Sequence, residues 1–132
     1  MRPIKFRGQR LDTIEWIHGD LIHLENDEYA IENYEDYLTY GVGLKKVDPE
    51  TVGQFIGIHD KNGVEIYEGD KISDDVVEDL VILWSDKLHS WSFGCVENGE
   101  IYCNLSEDAA LLIWDIYFGN CKITGNIHEG EK

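Results

Sequence analysis

Basic residues are scarce in this chain, which has 11 lysines and arginines against 27 aspartates and glutamates. The resulting formal charge of −16 repels phosphate backbones, so direct binding of DNA or RNA is not expected. The charge is uneven, because residues 1–10 carry four basic side chains and no acid, whereas residues 11–44 carry nine acids and no lysine or arginine. We expect the basic first strand to lie near the acidic segment, and an acidic surface directed at a basic partner is the alternative.

Long apolar runs are absent, since no stretch approaches the roughly 18 consecutive apolar residues of a membrane-spanning helix. The N-terminal residues MRPIKFRGQR also lack the apolar segment of a signal peptide, so we expect a cytoplasmic protein that does not bind membranes. There are three cysteines and no CxxC pair. Free cytosolic thiols are therefore favoured over a metal site or a disulfide framework.

Motifs for common cofactor and catalytic chemistry are also missing. No GxGxxG, Walker loop, HExxH or GxSxG segment occurs, and neither Ser92 nor Ser106 has an evident partner base. We therefore expect no cofactor, no metal, no catalytic residue and no enzyme activity.

The residues that are present indicate a small globular protein. Apolar residues make up 42% of the 132 residues and aromatic residues 11%, which is enough to form a core. The chain has two prolines and no repeat or linker, so we expect a single domain over residues 1–132.

Short β-rich segments separated by turn residues recur along the chain and predict strands. These segments lie at residues 4–7, 13–17, 21–24, 28–33, 52–58, 64–67, 80–84, 91–95 and 122–127. The pattern is typical of an all-β barrel or sandwich. Residues 33–40 fit either a helical turn or irregular structure, and Ser106 as an N-cap predicts one short helix near 106–114.

Glycines mark the predicted turns and bulges. His18-Gly19-Asp20 predicts a tight hairpin turn in which Gly19 supplies a positive φ. Asp60-Lys61-Asn62-Gly63 predicts a type I turn with Gly63 in the left-handed region. Asn98-Gly99 predicts another hairpin, and Gly125 a bulge in the strand at 122–127.

Three consecutive segments resemble the central signature of the YopX family, small proteins of bacteriophages and prophages. They are Gln54-Phe55-Ile56-Gly57-Ile58, Asp60-Lys61-Asn62-Gly63 and Ile66-Tyr67-Glu68-Gly69-Asp70-Lys71-Ile72. Residues 4–7 and 123–127 resemble the two ends of that family. The positions that we assign to a structural signature are Gln54, Gly57, Asp60, Asn62, Gly63, Tyr67, Glu68, Gly69, Asp70, Gly125 and Asn126.

The resemblance implies a mostly-β fold with a small SH3-like barrel. We therefore expect a barrel core at residues 47–132 beside an N-terminal β subregion at 1–46. It implies no activity, because the family is functionally uncharacterised.

Glu68-Gly69-Asp70 admits a chemical and a structural interpretation. Positions two apart in a strand share a face, so Glu68 and Asp70 could form a carboxylate pair for acid–base chemistry or a hard cation. The pair lacks a nucleophile, a histidine or a third ligand. We favour a structural corner in which Gly69 takes an unusual backbone conformation and Asp70 accepts from backbone N–H groups of the turn.

Two further sets of residues have side chains that suit a binding site. His18, Asp20 and His23 could bind a metal only with additional ligands, so surface histidines are favoured. The tryptophans Trp16, Trp84, Trp91 and Trp114 could line a ligand groove, but a small barrel needs them first for its core.

The most favoured function is a non-catalytic module that binds an unknown protein partner. An acidic mimic of DNA that blocks a nucleic-acid-binding host protein is the first alternative, motivated by the charge. A metal-dependent hydrolase using Glu68, Asp70 and a histidine is the second, and self-association into a homo-oligomer is left open.

Overall fold

A computed structural model of the chain describes residues 3–40, 43–73, 80–86, 90–97, 100–102 and 121–128. These residues form eleven strands, one α-helix and two 3-10 turns, at Glu25–Asp27 and Pro49–Thr51. The strands are β1 Phe6–Gln9, β2 Trp16–His23, β3 Tyr29–Glu32, β4 Leu44–Val47, β5 Gly53–His59, β6 Glu65–Tyr67, β7 Asp70–Ser73, β8 Leu80–Ser85, β9 Ser90–Glu97, β10 Glu100–Tyr102 and β11 Lys122–Asn126, and the helix is α1 Tyr34–Tyr40.

The strands confirm a mostly-β fold. They form a six-stranded sheet in the order β4-β3-β2-β1-β5-β6 and a five-stranded sheet in the order β10-β9-β8-β7-β11. Both sheets are antiparallel, and within the described ranges neither closes into a barrel. The chain divides into two compact units, Met1–Phe55 and Ile56–Lys132, here called unit 1 and unit 2.

Unit 1 is built on strands β1 to β4, each paired with the next. The core of these strands consists of Ile17, Ile31 and Val47, and β3 buries the two adjacent residues Ala30 and Ile31. The end of β1 also contacts the end of β4. Arg10 and Val47 form an isolated bridge, and the Asp48 N–H donates to the Gln9 carbonyl at 2.8 Å. These contacts with β4 fix the start of the segment that joins β1 to β2.

The prediction of a hairpin turn at His18-Gly19-Asp20 is wrong. β2 runs through these residues without a break, and Gly19 pairs with Phe6 of β1. A Cβ at Gly19 would lie 2.1 Å from the carbonyl oxygen of Glu32. Glycine is required there by a close backbone approach, whereas the turns lie at residues 10–15 and 24–28.

The basic start of the chain does lie beside the acidic segment. β1 pairs with β2, and the Arg10 Nη2 is 2.7 Å from Asp12 Oδ2. Lys46 of β4 contributes a second contact, with its Nζ 2.8 Å from Glu28 Oε2. The pairing of β1 with β2 confirms the expectation that the basic first strand lies near the acidic segment. The helical interpretation of residues 33–40 is confirmed too, by α1.

The two compact units divide after Phe55, and the predicted subregions 1–46 and 47–132 stay a prediction. The first residues of β5 belong with unit 1, because Gly53 and Gln54 pair with Arg7 and Phe6. The Phe55 N–H also donates to the Lys5 carbonyl at 2.8 Å. Strand pairing therefore places the division at Phe55, inside β5.

Unit 2 has its own core, formed by Ile56, Ile66, Ile72, Leu80, Ile82 and Cys121. Cys121 is fully buried within this core. β8 and β9 form a hairpin, and the pairing of Glu97 with Glu100 flanks the predicted Asn98-Gly99 turn. That turn itself and the predicted helix at 106–114 lie outside the described residues.

The predicted turn at Asp60–Gly63 is confirmed. Gly63 has a φ of 81° and its N–H donates to the Asp60 carbonyl at 3.0 Å. The Asp60 N–H donates in turn to the Val64 carbonyl at 2.8 Å.

Gly63→Val is expected to lower the free energy of unfolding by about 1–2 kcal/mol, because a β-branched side chain is strained in the left-handed region. Among the described residues other than its two chain neighbours, no atom lies within 4 Å of a Cβ placed there, so the effect is conformational and not steric. Chemical denaturation measures it. Gly63→Asn is the control, since asparagine tolerates this region, and an equal loss for both variants would contradict the explanation.

Candidate functional site

The turn between β1 and β2 is a short loop on unit 1, residues 10–15, held by several hydrogen bonds and here called the clamped loop. Arg10 holds it from within by donating Nε to Asp12 Oδ1 at 2.8 Å and Nη2 to Asp12 Oδ2 at 2.7 Å. The same guanidinium is 3.7 Å from Glu15 Oε2. A planar guanidinium facing a carboxylate with two bonds fixes orientation as well as distance.

Backbone bonds fix the same loop at both ends. The Arg10 N–H donates to the Glu15 carbonyl at 2.8 Å, and the Ile14 N–H donates to the Arg10 carbonyl at 3.2 Å. The Leu11 N–H donates to the Lys46 carbonyl of β4 at 3.2 Å. The loop is therefore ordered by its own hydrogen bonds and by β4.

The Arg10 side chain also sets the charge state of Asp12. Its hydrogen bonds are the largest influence and lower the pKa of the Asp12 carboxyl. Desolvation opposes them, and the positive charges of Arg10 and Lys45 lower the pKa further, so the net shift is downward. The carboxylate is therefore ionised at neutral pH, and the clamp is intact there.

This loop exposes two apolar side chains. Leu11 is 60% and Ile14 75% exposed. Ile14 also has a φ of 58°, which is a left-handed conformation that a β-branched residue rarely adopts. The loop thus combines a strained backbone with an apolar side chain that is not used in the core of unit 1.

Other exposed apolar side chains lie on unit 1. Tyr34 and Leu38 are 69% and 65% exposed, and their spacing of four places them on one face of α1. Among the described residues, six of the eight large exposed apolar side chains belong to unit 1: Ile4, Leu11, Ile14, Tyr34, Leu38 and Leu44.

The signature residues occupy a different place, a set of corners in unit 2. Asp60 is 7% exposed, and its Oδ1 accepts from the N–H groups of Asn62 and Val64 at 2.8 and 2.9 Å. Its Oδ2 accepts from the Ile123 N–H of β11 at 3.1 Å. One carboxylate thus joins a turn to a strand more than 60 residues away.

Burial and hydrogen bonding act in opposite directions on Asp60. Desolvation raises the pKa of its carboxyl, but the three N–H donors and the nearby His59 lower it by more, so the net shift is downward. The carboxylate form is the one that the fold stabilises.

Glu68-Gly69-Asp70 forms the second corner. Asp70 is 1% exposed and its Oδ2 accepts from the Tyr67 N–H at 2.8 Å. Gly69 has a φ of 92°, its N–H donates to the Ile82 carbonyl at 2.8 Å, and its carbonyl accepts from the Ile127 N–H at 2.9 Å. The segment thus links β6, β7 and β8 with the residue that follows β11, as a structural corner would.

The remaining signature positions support these corners. The register between β7 and β11 shifts between Ile123 and Gly125, so the predicted bulge is confirmed. Asn126 is buried and its Oδ1 accepts from the His128 N–H at 2.9 Å. Tyr67 is buried with its hydroxyl 3.2 Å from Glu65 Oε1, whereas Gln54 pairs with Phe6 and Gly57 is exposed within β5.

The sequence profile of the YopX protein family matches residues 5–131, which is nearly the whole chain. The chain belongs to the YopX family. A comparison with curated proteins found no match.

The carboxylates of this YopX protein do not assemble a metal cluster in the described part of the chain. No group of three or more histidine, cysteine, aspartate or glutamate side chains there could hold an ion. Asp70 Oδ2 is bonded to a backbone N–H, which is a structural use of that carboxylate. No helix of the described ranges has the length and apolarity to cross a membrane.

The two histidines considered as metal ligands, His18 and His23, lie on a single strand of the YopX protein, β2. His18 and Asp20 are two apart in β2 and share a face, whereas His23 is an odd number of residues away and faces the other side. His23 stacks on Tyr29 with ring centroids 4.5 Å apart, and its Nε2 is 3.8 Å from Asp27 Oδ1. The three side chains do not converge on one point.

The described tryptophans play three different parts. Trp16 is half-buried beneath Arg7, whose guanidinium carbon is 4.8 Å from the ring centroid. Trp91 packs against the core of unit 2. Trp84 is 44% exposed and meets Trp91 edge-on, with centroids 5.2 Å apart, and Trp114 lies outside the described residues.

Sequence reasoning missed the clamped loop. It assigned residues 13–17 to a strand, although the structure begins β2 at Trp16. A signal was present, because Leu11 and Ile14 are three residues apart between charged neighbours, which does not fit the alternation of a strand.

Proposed function

We propose that this YopX protein is a non-catalytic module that binds another protein in the cytoplasm of a bacterial host. The observation that carries the proposal is the concentration of exposed apolar side chains on unit 1, five of which lie in its acidic segment, residues 11–44. Exposed apolar groups that are contiguous or rimmed by polar residues mark interaction surfaces in soluble proteins.

The two sets of exposed side chains are held on ordered elements. Leu11 and Ile14 lie on the clamped loop, and Tyr34 and Leu38 lie one turn apart on α1. Ordered anchors lose little conformational entropy when a partner covers them, which favours binding.

The scaffold of the proposed module is an SH3-like arrangement of short strands. Family membership supports it, as do the tight turns and bulges at Gly63, Gly69 and Gly125. The described strands themselves form open sheets, so the binding surface is argued from side chains and not from fold analogy.

The module is proposed to be without enzyme activity and without a cofactor. The signature carboxylates Asp60 and Asp70 accept from backbone N–H groups, and their charge is used in holding turns. Catalysis needs a nucleophile, a base and an orienting group within hydrogen-bond reach of one another. The sequence suggests no such set.

An acidic mimic of DNA is the second candidate, and the charge of −16 is the observation that favours it. In that case carboxylates would replace phosphates on the surface of a nucleic-acid-binding protein. Binding would then depend almost wholly on charge and would weaken steeply with salt.

Affinity capture at two salt concentrations separates the two candidates. The full chain is immobilised and exposed to bacterial lysate at low and at moderate salt, with and without double-stranded DNA as a competitor. A protein-binding module with apolar anchors should retain a defined partner at moderate salt, and DNA should not displace it. An unrelated protein of similar acidity is the control.

Two results would contradict the proposal. A partner lost at moderate salt and displaced by DNA would establish mimicry in its place. Retention of no protein beyond the acidic control would remove the binding function.

A further inference from the structure

We propose that the clamped loop is the principal contact of this protein, and that it inserts Leu11 and Ile14 into an apolar pocket with a basic rim on a partner protein. This inference deepens the proposed function and rests on it. It attributes most of the binding energy to Leu11 and Ile14. It also specifies the partner as a protein that has an apolar pocket with a basic rim.

The backbone of Ile14 is the first argument. A left-handed φ of 58° is strained for a β-branched residue, and glycine or asparagine would avoid most of that strain. Ile14 is 75% exposed, so packing within unit 1 does not explain the choice of isoleucine. An apolar side chain kept in an unfavourable conformation on the surface is explained if a partner buries it.

The order of the loop is the second argument. Arg10 grips Asp12 with two bonds of 2.7 and 2.8 Å, and the Arg10 and Glu15 backbones are joined at 2.8 Å. Leu11 and Ile14 are therefore presented in a fixed geometry before a partner arrives. Such preorganisation reduces the entropy cost of binding.

Charge identifies the partner as a protein with a basic rim. The net charge of −16 repels nucleic acids and anionic lipid surfaces, and it disfavours pairing with a second copy of the chain. Asp12 and Glu15 flank the apolar side chains and are 65% and 72% exposed. A basic rim would meet these carboxylates, and a rim of acids would be repelled.

Nearby cations reduce the contribution of charge to the affinity of the clamped loop, relative to that of apolar contact. Arg10 pairs with both acids of the loop, and Lys45 is close enough to lower the pKa of Asp12. The loop itself is therefore only weakly negative. We expect the long-range charge to speed association, while burial of Leu11 and Ile14 supplies most of the affinity and persists in salt.

The test begins with a library of random peptides, selected on the immobilised full chain. Enriched peptides should combine an apolar or aromatic residue with lysine or arginine. The strongest peptide is then titrated against the wild type, Leu11→Ser, Ile14→Asn and Val64→Asn. Val64 is the matched control, because it is an apolar residue of similar exposure, 52%, on unit 2.

The two loop variants should each weaken binding by about tenfold or more, and Val64→Asn should leave it unchanged. Ile14→Asn should also raise Tm by about 2–5 °C, because it relieves the backbone strain. A variant that is more stable and binds less well excludes misfolding as the cause.

The contrary outcomes are distinguishable. Selection of no specific peptide would overturn the proposed function together with the loop. Peptides that bind equally well to the loop variants would overturn the loop alone. A lower Tm for Ile14→Asn would make Ile14 a structural residue, and self-association that Ile14→Asn abolishes would replace the partner with a second copy.

Discussion

Asp60→Ala is expected to lower the free energy of unfolding by about 2–4 kcal/mol. The substitution removes the acceptor for the N–H groups of Asn62, Val64 and Ile123. Asp60 is only 7% exposed, so water cannot easily replace that acceptor. Bonds to a charged acceptor are stronger than neutral ones, and a buried donor left without an acceptor adds a desolvation cost. Denaturant unfolding at neutral pH measures the loss.

Asp20→Ala is the matched control for this result. It removes the same atoms and the same charge from an exposed strand position in β2, so it should change stability by about 0.5 kcal/mol or less. Equal losses for the two variants would show that net charge, and not the hydrogen bonds of Asp60, is responsible.

The pH dependence gives Asp60 a second readout. Its folded-state pKa lies below the unfolded value, so the native state releases this proton more readily than the unfolded chain. Its contribution to stability is therefore present at neutral pH and is lost as the pH falls below about 4, through the folded pKa. The stability difference between wild type and Asp60→Asn should shrink over the same range.

Amide resonances offer a direct check of this linkage. The N–H protons of Asn62, Val64 and Ile123 should shift together in acid with one apparent pKa lower than the ordinary aspartate value. Three independent titrations, or a common value above the ordinary one, would contradict the shared carboxylate.

Gly19→Ala is expected to lower the free energy of unfolding by about 3 kcal/mol or more. The added Cβ would lie 2.1 Å from the Glu32 carbonyl oxygen and 2.8 Å from its carbonyl carbon. Both atoms belong to the backbone of β3, which pairs with β2 through Asp20 and Glu32, so the contact cannot be relieved by a side-chain rotation. The strands must separate or shift.

Gly57→Ala separates this steric effect from a conformational one. Gly57 has a φ of 92°, but in the described part of the chain no atom beyond its two neighbours lies within 4 Å of a Cβ placed there. Its replacement should therefore cost only about 1 kcal/mol. Thermal or denaturant unfolding of the two variants ranks them. A larger loss at Gly57 than at Gly19 would refute the close approach of β2 and β3.

The comparison of these glycines shows which part of the fold was predictable. The turn at Asp60–Gly63 depends on local chemistry, namely an aspartate that accepts from nearby N–H groups and a glycine in the left-handed region, and it was predicted correctly. Gly19 was misassigned because a glycine that allows a turn and one that allows a close approach look the same in sequence. Contact with Glu32 depends on the pairing of β2 with β3, which local patterns do not reveal.

The candidate site was less predictable than the fold. The strand pattern around Ile17 was extended backwards over Ile14, because isoleucine favours strands and its left-handed conformation contradicts its own propensity. The clamped loop also depends on the bridge between Arg10, which follows β1, and Val47 of β4. These two residues are far apart in sequence. In contrast, the acidic character of unit 1 and its contact with basic residues follow from the charge distribution and were predicted.

The bond from Ile123 to Asp60 also bears on how the chain folds during synthesis. Its partners are 63 residues apart, and Lys61 makes a similar link through its N–H to the Cys121 carbonyl at 3.0 Å. Unit 1 has all the residues of its β1–β4 pairing within the first 55. The local bonds of the turn at Asp60 can also form early, whereas the bond from Asp60 Oδ2 to the Ile123 N–H requires that β11 has been synthesised. Until that bond forms, the Asp60 carboxylate remains hydrated. Because closing so long a loop is slow, we expect the bond between Asp60 and Ile123 to form late in folding.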